Sequence, residues 1–151
     1  MATGPLATRL QAAVVAAMKA RDKARLEPLR MMQAQIKQIE VDQRVVLDDA
    51  GIVKVLGSYQ RKVKEALAEA RRAERPELVA RGEAEVAILA EFLPAEIDDA
   101  ALEAAVRAVV AETGATGPQD LGRVMKAVLP KLAGQADGGR ISAAVKRLLQ
   151  G

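Results

Sequence analysis

Apolar residues recur along this chain at intervals of three and four, the spacing that lines one face of an α-helix. The first such stripe is Leu6, Leu10, Ala13, Val14 and Ala17, and it ends at the polar run Arg21-Asp22-Lys23. A second stripe follows in Leu26, Leu29, Met32, Ile36 and Ile39. Pro28 places the first turn of that helix close by, because proline is tolerated only where a backbone N–H needs no partner. The two stripes predict a helical hairpin, with Met18, Met31 and Met32 as adaptable core filler.

Val45-Val46-Leu47 leads into Asp48-Asp49, an N-cap signal for a third helix. Its stripe is Ile52, Val55, Leu56, Tyr59, Val63 and Ala66, with Lys54, Arg61, Lys62, Lys64, Glu65 and Glu69 on the outer face. Gly51 and Gly57 weaken this helix, and Gly57 is expected to admit a closely packed neighbour. Pro76 opens a fourth helix whose seam is Val79, Gly82, Val86, Leu89 and Leu93, leaving Glu83 and Glu85 on a solvated face. Asp98-Asp99 caps a fifth, carrying Leu102, Ala105, Val106, Val109 and Val110 and stopping at Thr113-Gly114. A sixth opens at Pro118 and carries Leu121, Val124, Met125, Val128 and Leu132, weakening at Pro130 and stopping at Gly134. Asp137 caps a seventh, with Ile141, Val145, Leu148 and Leu149.

No strand alternation persists beyond a few residues, so the pattern predicts an all-α protein. Pro94 disfavours helical geometry in the residue before it, which sets a boundary between Phe92-Leu93-Pro94 and Asp98. Residues 1–93 are expected to form an elongated N-terminal helical subdomain, a hairpin plus two long helices. Residues 97–151 are expected to form a compact three-helix domain.

Composition narrows the chemistry. The 151 residues contain neither Cys nor His, which removes disulfides, thiolate nucleophiles and the commonest general base and metal ligand. Ser58 and Ser142 have no base partner in their surroundings. No metal-ligand set, cofactor motif or catalytic residue emerges, and a chain acting through binding is expected. The first residues lack a signal-peptide pattern and no apolar run reaches the ~20 residues of a membrane span, so a cytoplasmic location is expected.

The net charge of +3 decides little, but its distribution does more. Residues 1–46 hold 8 basic and 4 acidic residues, residues 47–113 hold 9 and 14, and residues 114–151 hold 6 and 2. Basic ends flanking an acidic middle suit either self-association or polyanion binding, as well as plain solvated faces. The turn from Gly134 to Arg140 offers backbone amides beside one guanidinium, which suits phosphate; it suits an ordinary helix–turn–helix core piece equally. The phosphate-contact candidates are Arg123, Lys126, Lys131, Arg140, Lys146 and Arg147. Tyr59 and Phe92 are the only aromatic residues, so stacking on single strands is not expected. The rival reading is a protein-interaction adaptor that presents the N-terminal amphipathic helices to a partner.

Several blocks resemble the GatB/YqeY family. They are Met18-Lys19-Ala20-Arg21-Asp22-Lys23 with Leu29-Arg30-Met31, and Glu83-Ala84-Glu85 through Ile88-Leu89 to Phe92-Leu93-Pro94. Further on come Glu112-Thr113-Gly114-Ala115, Leu121-Gly122-Arg123-Val124-Met125-Lys126 and Gly134-Gln135-Ala136-Asp137-Gly138. Gln135 and Gly139 depart from the basic residues that family members often carry there. The resemblance implies a three-helix C-terminal domain like the tRNA-gripping tail of the B subunit of glutamine-dependent tRNA amidotransferase. It also implies a link to carbon–nitrogen ligase activity with glutamine as amido donor. The implied partner is tRNA or another structured RNA. No nucleotide-binding glycine loop and no amidase serine–lysine pair accompany the resemblance.

Overall fold

The computed structural model describes residues 1–132 and 134–150. Among these the chain is all-helical, with seven α-helices and no strand. They are α1 (Pro5–Lys19), α2 (Lys23–Gln43), α3 (Asp49–Arg72), α4 (Pro76–Ala90), α5 (Asp99–Thr113), α6 (Leu121–Leu132) and α7 (Gly138–Gln150). A short 3-10 turn, Pro118–Asp120, precedes α6. The helices pack as two units, Met1–Leu93 and Pro94–Gly151, each with its own core.

In the first unit, Leu29, Met32, Ile52, Leu56 and Leu89 are fully buried, with Leu10, Val14 and Phe92 packed around them. The N-terminus of α1 is built from a distance. It has no side-chain cap of its own, and the Leu6 N–H donates instead to Oδ1 of Asp49, 3.1 Å away in the first turn of α3. Gly4 makes that approach possible. Its φ is 102°, and a Cβ there would sit 2.5 Å from the same oxygen. Asp48 meanwhile caps α3 by accepting from the Gly51 N–H at 2.9 Å.

Four local expectations give way here. Pro28 lies in the second turn of α2, not the first, so the Ala24 carbonyl loses its usual N–H donor. Met32 is core, but Met18 and Met31 are 51% and 44% exposed. The buried stripe of α3 runs on through Leu67 and Ala70, while Ala66 faces outward. A Cβ on Gly57 would meet nothing within 4 Å, whereas one on Gly82 would lie 3.0 Å from Cδ1 of Leu67. Gly82, and not Gly57, is therefore the glycine that lets α3 and α4 close on each other.

The C-terminal end of α4 is anchored to both helices of the hairpin. Arg9 donates to the Glu91 carbonyl at 2.9 Å, and its guanidinium carbon lies 5.5 Å from the Phe92 ring centre. Arg25 binds the Glu91 carboxylate through both nitrogens, at 2.7 and 2.9 Å.

In the second unit, α5, α6 and α7 bury Leu102, Val106, Val124, Val128, Ile141, Ala144 and Val145 against one another. Asp98 caps α5 through the Ala101 N–H at 2.7 Å, and Gly114 ends it with φ 69°. Asp137 caps α7 through the Arg140 N–H at 2.8 Å.

Candidate nucleic-acid interface

The six basic residues singled out in the second unit separate into two groups. In the first group each cation already has an anionic partner. Arg123 reaches Asp120 at 3.0 Å, one turn back on the same helical face. The Asp120 carboxylate also accepts the Thr116 N–H at 2.9 Å, and that bond, with Arg123 beside it, holds its pKa below the ordinary value. Lys131 reaches back from the end of α6 to Glu112 at 2.8 Å.

Arg140 is the most committed of the six. Its guanidinium donates to the Ile97 carbonyl and to Asp99, both at 2.9 Å. The Asp99 bond raises its pKa further above the ordinary value. The Ile97 N–H in turn donates to the Gln135 carbonyl at 2.9 Å. The turn and the segment that leads into α5 thus clasp each other in both directions. Three amides of the turn are also occupied, Gln135 and Ala136 donating to the Leu132 carbonyl and Arg140 to the Asp137 carboxylate. These bonds, with Arg140, tie the turn to the start of α5.

The second group is Lys126 on α6 with Lys146 and Arg147 in the last turns of α7. All three are exposed, and none has an ion-pair partner among the described residues. Counted over the whole folded unit, residues 94–151 hold 7 basic and 7 acidic residues. The basic surplus of residues 114–151 is balanced by the acids that precede and line α5. The surplus arises from starting the count at residue 114, which leaves out α5 and the acids around it.

Elsewhere the side chains offer little that resembles a reaction centre. Among the described residues, no three His, Cys, Asp or Glu side chains gather as a metal site, and no polar residue is buried. An open groove of about 430 Å³ lies between α2 and α4 over Tyr59. Tyr59 donates to the Glu85 carboxylate, and burial together with that bond pushes its pKa well up. Glu85, expected on a solvated face, is therefore half-buried and tied to α3. Glu83 does lie outward, paired with Arg71 at 3.0 Å. An Arg81–Glu27 pair at 2.7 Å links α4 to α2 beside the groove.

No helix is long and apolar enough to cross a membrane among the described residues. No functionally curated protein matches the sequence. A family profile described as Yqey-like protein matches residues 7–149, nearly the whole chain. With helices throughout and the match running from α1 to the last turn of α7, the chain belongs to the YqeY family.

Proposed function

We propose that this YqeY-family protein is a cytoplasmic accessory that holds structured RNA of the tRNA class through phosphate contacts. The observation that carries this reading is the set Lys126, Lys146 and Arg147, exposed cations with no ion-pair partner among the described residues. Such cations release condensed counterions when they meet a phosphate backbone, which gives affinity without base reading. Resemblance to the tail of the amidotransferase B subunit supports the same partner. Arg123 and Lys131 can join only by leaving Asp120 and Glu112, and Arg140 serves mainly to clasp the unit together. Carbon–nitrogen ligase chemistry, to which the resemblance links the family, would belong to partner subunits. The chain alone is then expected to show no glutamine- and ATP-dependent turnover on misacylated tRNA.

Filter binding with unfractionated tRNA at 50 and 200 mM salt tests the proposal. Micromolar or tighter binding that weakens steeply with salt supports it, and binding absent at both salts removes it. A second reading, a protein adaptor, is favoured by one feature: Val41, Val45 and Val46 are 62%, 40% and 61% exposed around the end of α2. Light scattering that reports a strict monomer, with no protein retained on a column of the purified chain, would remove that reading.

A further inference from the structure

Helix α2 carries two patterns on opposite sides. Leu29, Met32 and Ile36 are buried in the core of the first unit. On the outward side the chain repeats every seven residues. Ala24, Met31 and Gln38 form one line of that repeat, and Glu27, Ala34 and Val41 form the other. They alternate at spacings of three and four, as the a and d positions of a coiled coil do. All six are exposed. The seam runs about 25 Å along the helix, and from Met31 to Val41 it holds no charge. Helix α3 instead fills its outer face with charges of both signs, Lys62, Glu65 and Glu69 among them.

The two edges of the seam differ. Lys23, Arg30 and Lys37, again seven apart, make an exposed basic row, and none has an ion-pair partner among the described residues. The other edge holds Pro28, Gln35 and Asp42. The acids nearby are engaged: Asp42 accepts from the Gln38 amide at 2.8 Å, and Glu27 pairs with Arg81 at 2.7 Å. At the start of the seam, Ala24, Glu27, Pro28 and Met31 wall the groove of about 430 Å³ that separates α2 from α4. A helix laid on the seam would rest on α2 along its length and enter this groove at one end.

Positions that flank such a seam select its partner. A second copy of α2 is a poor one. Antiparallel copies bring the same edge of each helix together, which sets the basic row against itself. Parallel copies set it against Pro28, Gln35 and Asp42, one acid for three cations. A phosphate backbone would meet the cations but leave Met31 and Val41 in water. A helix with an apolar stripe and an acidic edge covers both.

We propose that the outward face of α2 docks an amphipathic helix of a partner protein, whose acidic edge meets Lys23, Arg30 and Lys37. The proposal supplies a partner chemistry for the adaptor reading, on which it rests, and does not depend on RNA binding by the second unit.

The probe is a labelled three-heptad peptide with Leu at a and d and Glu at e and g, where like charges oppose its own pairing. The control peptide carries Lys at e and g. Fluorescence anisotropy against the full chain is expected to show micromolar binding of the acidic peptide. The basic peptide should bind about tenfold more weakly, the scale of three screened ion pairs. M31E/V41E should weaken the acidic peptide about tenfold, and K23E/R30E/K37E should reverse the preference, which misfolding cannot do. Binding of neither peptide, equal binding of both, or an unchanged preference in K23E/R30E/K37E would overturn the proposal. Binding of neither, joined by loss of tRNA affinity in K23E/R30E/K37E, would assign the basic row to RNA instead. Columns of wild type and M31E/V41E that retain the same proteins would leave the adaptor reading standing on another surface while this proposal falls. A monomeric wild type that retains nothing would remove both.

Discussion

Glu91→Gln tests the anchor that fixes the end of α4. The variant keeps the shape of the side chain and the Arg9 bond to the Glu91 carbonyl, but it removes the charge that Arg25 grips with both nitrogens. Arg25 and Glu91 side chains are 35% and 46% exposed, so solvent screens much of the attraction. Exposed pairs contribute about 0.2–1 kcal/mol, and two-pronged geometry places this one near the top of that range. The expected loss is about 1 kcal/mol, which lowers the urea midpoint by about 0.5 M at a denaturant slope of about 2 kcal/mol/M. A double-mutant cycle with Arg25→Gln should return most of that value as coupling.

Acid gives an independent check on the same pair. The Arg25 hydrogen bond holds the Glu91 pKa below its ordinary value of 4.5, so the folded state binds fewer protons there than the unfolded chain. The contribution is therefore complete above the ordinary value and is lost as pH falls through the lowered folded value. The stability difference between wild type and Glu91→Gln should be flat from pH 7 to 5 and then shrink. A coupling below about 0.2 kcal/mol, or a difference that persists undiminished in strong acid, would refute the argument.

Three further substitutions separate structural from binding roles. Gly57→Ala should stabilise the first unit by about 1 kcal/mol in urea unfolding, because a methyl group there meets open space in a helix interior. Asp49→Ala should cost about 1–2 kcal/mol by the same measure, since it uncaps α1 and removes the first-turn acid of α3 together. Arg140→Gln should lower the thermal midpoint of the protein yet leave tRNA affinity nearly unchanged, because its guanidinium is already held by Ile97 and Asp99.

What could be read from the sequence was governed by range. The Asp48, Asp98 and Asp137 caps and the Gly114 stop act within a few residues, and each stands where the local pattern places it. The apolar stripes likewise mark most of the buried positions, because burial repeats with the helical period, but they miss Leu67 and Ala70 in α3 and Ile88 in α4. The difficulties arise wherever a partner comes from a distant helix. Nothing near Asp49 indicates that it serves the N-terminus of α1, since Leu6 lies 43 positions away. The same holds for Tyr59 with Glu85 and for Arg140 with Asp99. Gly57 and Gly82 look alike in sequence, and only the position of Leu67 distinguishes a packing glycine from an unoccupied one. The six cations of the tail looked equivalent for the same reason, although three of them are already paired with carboxylates.

Both aromatic rings sit in the first unit, and this divides the protein optically. Ultraviolet absorbance and fluorescence of the native chain are dominated by Tyr59, while α5, α6 and α7 contribute only to backbone circular dichroism. A melt in which circular dichroism, which sums all seven helices, departs from the tyrosine signal thus reveals the second unit unfolding apart from the first. In alkali, tyrosinate should appear only above the ordinary tyrosine range, because burial and the bond to Glu85 both oppose it.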